Sequence, residues 1–143
     1  MFVPAYFDPP TRLENERFVL VPLGVEHNER DHEAWMSSID HIRATPGFPD
    51  GRWPHEMTLD ENERDLSRHA LHFAERKGFT YTVLVGDEVV GCVYIYPSEG
   101  TADADVRSWV RVSHAELDEA LYQAVTKWLA DAWPFERVDY AGR

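Results

Sequence analysis

The sequence predicts a single α/β (α+β) domain with a mixed, mostly antiparallel sheet, two N-terminal helices and one long central helix. Three observations carry this. FTYTVLV and EVVGCVYIY (residues 79–85 and 88–96) are β-rich runs separated by Gly86-Asp87, the pattern of an antiparallel hairpin. Leu117, Ala120, Leu121, Ala124, Val125, Trp128, Leu129 and Ala132 recur at helical period and form a complete apolar face over 114–133. A strand over 104–112, that helix, and a short run at 136–142 stand at the spacing of a crossover unit, which makes the two strands parallel neighbours. At 143 residues the chain holds one core, so the domain is 1–143.

The elements follow in order. The first ten residues carry three prolines and are expected to lie extended against the body. RFVLVPL (17–23) is β-branched and apolar and reads as a strand. Residues 27–38 read as a weak helix with Trp35 and Met36 turned inward. Residues 45–54, TPGFPDGRWP, are loop by their proline and glycine content. Thr58 and Glu61 have capping-box spacing, and Leu59, Leu66, Ala70, Phe73 and Ala74 then form a stripe that Gly78 ends. Pro97 closes the second hairpin strand, and a turn at 98–101 leads to ADVRSWVRV (104–112). Pro134 closes the long helix.

Charge and composition exclude several function classes. Fourteen basic against 26 acidic residues give a net charge of −12, which disfavours nucleic acid or an anionic membrane as partner. No apolar run is long enough to span a bilayer, and the N-terminus lacks a signal pattern. The lone cysteine, Cys92, sits in an apolar strand and reads as core packing in a reducing compartment, the cytoplasm. Asp65, His69 and His72 share one helix face, but no fourth ligand is identifiable. They read as a solvated polar face, and no metal is expected.

PPTRLENERFVLVPL, VVGCVYIYP, and SWVRV followed by the long helix resemble, in that order, the first strand, third strand, and fourth strand with central helix of ribosomal-protein-type members of the GNAT superfamily. These are acyl-CoA-dependent N-acyltransferases, and the resemblance covers about residues 10 to 143. It implies acetyl-CoA or CoA as cofactor and transfer of an acyl group to a primary amine. By the same resemblance Trp109, Val110 and Arg111 contact the pantetheine and thioester, and the N–H groups of Val110 and Arg111 stabilise the oxyanion. Asp105, Arg107, Trp109 and Arg111 share one strand face, and Arg107 or Arg111 suits a phosphate. Ser113 stands at the family's pyrophosphate loop. His114 beside the cleft is the candidate base, Tyr140 or Tyr94 the candidate acid, and Trp53 a candidate for the substrate pocket.

The sequence departs from the family at the junction after the fourth strand. The family places Arg/Gln-x-x-Gly-x-Gly/Ala there, whose glycines let backbone N–H groups reach a pyrophosphate. Here the junction is Val112-Ser113-His114-Ala115-Glu116. Ser113 and Glu116 have capping-box spacing, and Asp118 and Glu119 follow. A helix start that caps itself and carries carboxylates opposes a bound diphosphate. The sequence also ends at Arg143, before the helix and hairpin with which the family continues. Two readings follow: an N-acyltransferase, or a non-catalytic module on the same fold that binds a small ligand or a protein partner. A homodimer through the strand edge at 136–143 is a further expectation.

Overall fold

The computed structural model describes residues 1–48 and 52–143; Pro49, Asp50 and Gly51, part of the loop expected over 45–54, lie outside the described residues. Six strands form one sheet in the order β1-β2-β3-β4-β5-β6. They are β1 (Leu13–Glu14), β2 (Val19–Pro22), β3 (Phe79–Val85), β4 (Glu88–Pro97), β5 (Ala104–Val110) and β6 (Val138–Tyr140). The first four pairings are antiparallel, and β5 with β6 is parallel, as the crossover spacing requires. Gly86 takes φ 59° at the β3–β4 turn, a conformation that suits glycine.

The strand alternation divides the core into two layers. Phe79, Tyr81, Val93, Ile95 and Val106 face one side, where α4 (Asp118–Ala132) packs Leu121, Val125, Trp128 and Leu129 against them. Cys92, Trp109 and Val89 face the other side, under α1 (Asn28–Met36), α2 (Ile39–Arg43) and α3 (Leu59–Ala74). Cys92 is fully buried, and burial pushes its thiol pKa well up, so it packs rather than reacts. The extended N-terminus lies against the body. The Arg76 guanidinium donates to the carbonyls of Pro4 and Phe7, and the Tyr81 hydroxyl donates to that of Pro10.

The structure corrects several sequence expectations. The short helix α2 was not foreseen, because five residues carry too little periodicity to register. Gly78 does not supply the left-handed residue that ends α3; Arg76 does, at φ 63°. Gly78 serves another purpose: a Cβ there would stand 2.1 Å from the Tyr96 ring. The capping box at Thr58 forms in full, with both bonds made, at 2.9 and 3.1 Å. The one expected at Ser113 does not. Residues Val112–Leu117 wind as a 3-10 turn, with His114 outside helical geometry, and no side chain caps it. The Val112 N–H donates to the Ser38 hydroxyl and the His114 N–H to the Arg111 carbonyl, so tertiary contacts set the path of this junction.

Candidate functional site

Two places on the sheet carry chemistry, one on each side of β5. The first is the fork between β5 and β6. The two strands pair only from Ala104 to Val106, against Val138 to Tyr140, and β5 then runs on without a strand on that side among the described residues. The Arg143 side chain lies in this opening and is only 5% exposed. Its Nη2 donates to the Ser108 carbonyl at 2.8 Å and reaches the Ser108 hydroxyl at 3.2 Å. Its Nη1 donates to the carbonyls of Ala141 (2.9 Å) and Pro46 (3.3 Å), and its Nε pairs with Asp118 in the first turn of α4. The guanidinium also stands over the rings of Tyr122 and Tyr140, at 5.8 and 5.9 Å. The Tyr140 and Ser108 hydroxyls share a hydrogen bond of 2.6 Å, and burial pushes the Tyr140 pKa up to about 12.

The junction beyond the fork is already engaged. The Arg111 backbone N–H donates to the Val90 carbonyl at 2.8 Å. Its guanidinium grips both oxygens of Glu33, at 2.7 and 2.8 Å, with Glu88 at 3.4 Å, and these bonds raise its pKa further. His114 sits between the Ser113 hydroxyl (3.0 Å) and Glu88 (3.7 Å). Val110 is fully buried against the α4 layer, and Trp109 is fully buried in the other, its Nε1 donating to the Tyr94 hydroxyl. Arg107 stands over the Phe48 ring at 5.4 Å. These residues do not fit an acyl-CoA. No glycine opens the turn, the nearest arginine is held by Glu33 and Glu88, and Asp118 and Glu119 stand in the first turn of α4.

The second place is a cavity of about 340 Å³ between α3, α1 and the sheet. Trp53, Phe48 and Tyr94 form aromatic walls. The Trp53 ring lies 6.1 Å from Trp109 and 5.6 Å from Trp35, so the pocket sits on the aromatic core of this layer. Asp31 lies at the floor. Burial pushes its carboxyl up to about 6, against the Asn62 side chain, which donates to Oδ2 at 3.0 Å. Asn62 is itself buried and fully used: it also donates to Asn28 and accepts from the Trp35 indole.

Along one side of the cavity run His69 and His72. The Tyr96 hydroxyl lies 2.9 Å from the Nδ1 of each, and the Thr80 hydroxyl 3.0 Å from that of His69. Burial lowers the His69 pKa to about 4, so this ring is neutral in ordinary buffers. The expectation of a solvated polar face is therefore corrected: the two histidines line a pocket and are tied to the sheet. Asp65, on the same face, pairs with Arg68 at 2.8 Å. Among the described residues no group of three or more histidine, cysteine, aspartate or glutamate side chains is arranged to hold a metal ion.

Of the residues singled out in the sequence, Trp53 and Arg107 line this cavity, while Ser113, His114 and Arg111 gather at the β5–α4 junction and Tyr140 at the fork. Sequence reasoning missed Asp31, Asn62, Thr80, Tyr96 and Arg143. A polar residue on a polar helix gives no sign of burial, and only Tyr96, alternating with Tyr94 on one strand face, left a trace.

No family model and no curated protein matches the sequence. Solved structures do match in fold. One is assigned as a ribosomal-protein-serine acetyltransferase from Vibrio cholerae, with TM-score 0.72 and 14% identity, over 94% of this chain and 75% of that one. The ribosomal-protein-S5-alanine acetyltransferase from Vibrio fischeri aligns at 0.67 and 14% identity, over 90% and 72%. The microcin C7 self-immunity acetyltransferase MccE, in complex with acetyl-CoA and AMP, aligns at 0.64 and 10% identity, over 86% and 67%. The chain has the GNAT acetyltransferase fold. No helix among the described residues is long and apolar enough to cross a membrane.

Proposed function

We propose that this chain is a small-ligand-binding protein on the acetyltransferase fold, with the cavity beside α3 as its ligand site. The observation that carries this reading is Arg143 in the β5–β6 fork. In the family the fourth strand lines the acyl-CoA cleft with backbone groups, and here the Ser108 carbonyl on the corresponding strand is taken by a guanidinium. The other side of β5 offers what the fork does not: a walled pocket with aromatic surface and a few fixed polar groups.

The second reading is N-acyl transfer from acetyl-CoA to a primary amine. It draws on the fold likeness and on the β5 edge beyond Val106, which has no strand partner on the β6 side among the described residues. On this reading His114 or Tyr140 supplies the proton chemistry, and Arg107 and Arg111 meet the phosphates. Calorimetric titration of acetyl-CoA and CoA at low salt separates the two. Absence of heat at millimolar ligand, with no thermal shift, is the expected result. Stoichiometric micromolar binding overturns the proposal and restores the enzyme. Pairing of the β6 edge with a second copy is the oligomer this fold allows, and sedimentation at high micromolar concentration tests it.

A further inference from the structure

We propose that the cavity beside α3 takes a small zwitterion, its ammonium group at Asp31 and its carboxylate at Arg107, with an apolar body between the two charges. This rests on the reading of that cavity as the ligand site.

Two opposite charges line the cavity, and neither has an ion-pair partner among the described residues. Asp31 is only 3% exposed. The Asn62 amide donates to its Oδ2 at 3.0 Å, and the Cys92 thiol to its Oδ1 at 3.9 Å. Neither donor is a cation. His32, next to it on α1, turns its Nε2 to the Met57 carbonyl at 2.7 Å. On α3, Arg68 is taken by Asp65, burial keeps the His69 ring neutral, and His72 is turned to the Tyr96 hydroxyl. Burial raises the Asp31 pKa to about 6, so at pH 8 the cavity floor holds a buried carboxylate with no cation against it.

Arg107 is the complement. It is exposed, and its guanidinium stands over the Phe48 ring at 5.4 Å. Asp105, two residues back on the same strand face, feels this charge but makes no ion pair with it.

The sheet register sets the two charges apart. Asp31 lies against Cys92, which stands opposite Trp109. Arg107 stands opposite Tyr94, two residues along, a step of about 7 Å. Tyr94 and Trp53 line the same cavity with ring centroids 6.3 Å apart and planes at 78°, which gives a ligand body two apolar faces. A cation alone leaves Arg107 unmatched, and an anion alone meets the Asp31 carboxylate. A molecule with one charge at each end satisfies both.

The test compares three near-isosteric probes, para-aminomethylbenzoate, benzylamine and para-toluate, titrated into the full chain at about pH 8. Tryptophan fluorescence reads binding, and the side-chain resonances of His69 and His72 locate it. The zwitterion should bind about thirtyfold more tightly than para-toluate, because Asp31 is buried. It should bind about fivefold more tightly than benzylamine, because Arg107 is exposed. Asp31→Asn should bring para-toluate to within about threefold of the zwitterion, and Arg107→Gln should do the same for benzylamine. Equal or tighter binding of either single-charge probe to the wild type overturns the proposal and leaves the cavity as a ligand site. So does a folded Asp31→Asn that keeps the wild-type ranking, and the wild-type ranking decides alone if that variant does not fold. If none of the three probes shifts the two histidines, the cavity reading itself falls.

Discussion

Arg143 donates to the main-chain carbonyl of Ser108 across 2.8 Å, on the edge of β5 that faces β6. The same guanidinium pairs with Asp118, so it ties the β5 edge, the start of α4 and the segment after β6 together. Arg143→Ala leaves Asp118 beside a half-empty fork. It should cost about 3 kcal/mol, since breaking a buried ion pair strands the partner charge. Urea denaturation checks this. A double-mutant cycle with Asp118→Asn should return a coupling of about 1–3 kcal/mol.

Asp31 and His69 titrate with opposite consequences. Burial raises Asp31 to about 6 and lowers His69 to about 4. In the interval between, native Asp31 keeps a proton the unfolded chain has released, so its contribution is lost as pH rises through about 6. Native His69 there lacks a proton that the unfolded chain holds, so its contribution is lost as pH falls toward about 4. Each effect is on the order of 3 kcal/mol, and they offset in the wild type. Asp31→Asn should make stability rise from about pH 4 to 6.5, and His69→Gln should make it fall over the same range. Urea midpoints across that range read both slopes.

The two serine/threonine–glutamate pairs should respond differently. Thr58 accepts from the Glu61 N–H, so Thr58→Ala should cost about 1 kcal/mol. Among the described residues Ser113 caps no helix, and its hydroxyl hydrogen-bonds only with His114. Ser113→Ala should change stability by less than about 0.5 kcal/mol. Thermal denaturation of the two variants side by side decides it.

Gly78→Ala should destabilise by about 1–3 kcal/mol, because the added methyl meets the Tyr96 ring. A displaced Tyr96 also loosens its contacts with His69 and His72. The histidine side-chain resonances should therefore shift in this variant although residue 78 lies outside the cavity.

Much of the fold was legible because its signals are local. The β3–β4 hairpin needed only Gly86-Asp87, and α4 needed only its own periodicity. The site was less legible because its contacts are not. Thr58–Glu61 and Ser113–Glu116 share a pattern, yet only the first forms its box. The difference comes from Ser38, which lies 74 residues away from the Val112 N–H it accepts. Arg111 and Glu33 are 78 positions apart, and Arg143 and Ser108 are 35. His69 and His72 were visible as a helix face. What makes them a site, the Tyr96 hydroxyl between them, depends on how α3 lies on the sheet.

The five tryptophans fall into two groups on opposite faces of the sheet. Trp35, Trp53 and Trp109 lie in one layer, and Trp128 and Trp133 in the other, with rings 5.6, 6.1 and 5.4 Å apart within the groups. Indoles this close couple through their strong far-ultraviolet transition, so each layer contributes its own exciton couplet to the far-ultraviolet circular dichroism. The molecule thus reports optically on its two halves, and a spectrum that loses one couplet before the other identifies which layer loosens first.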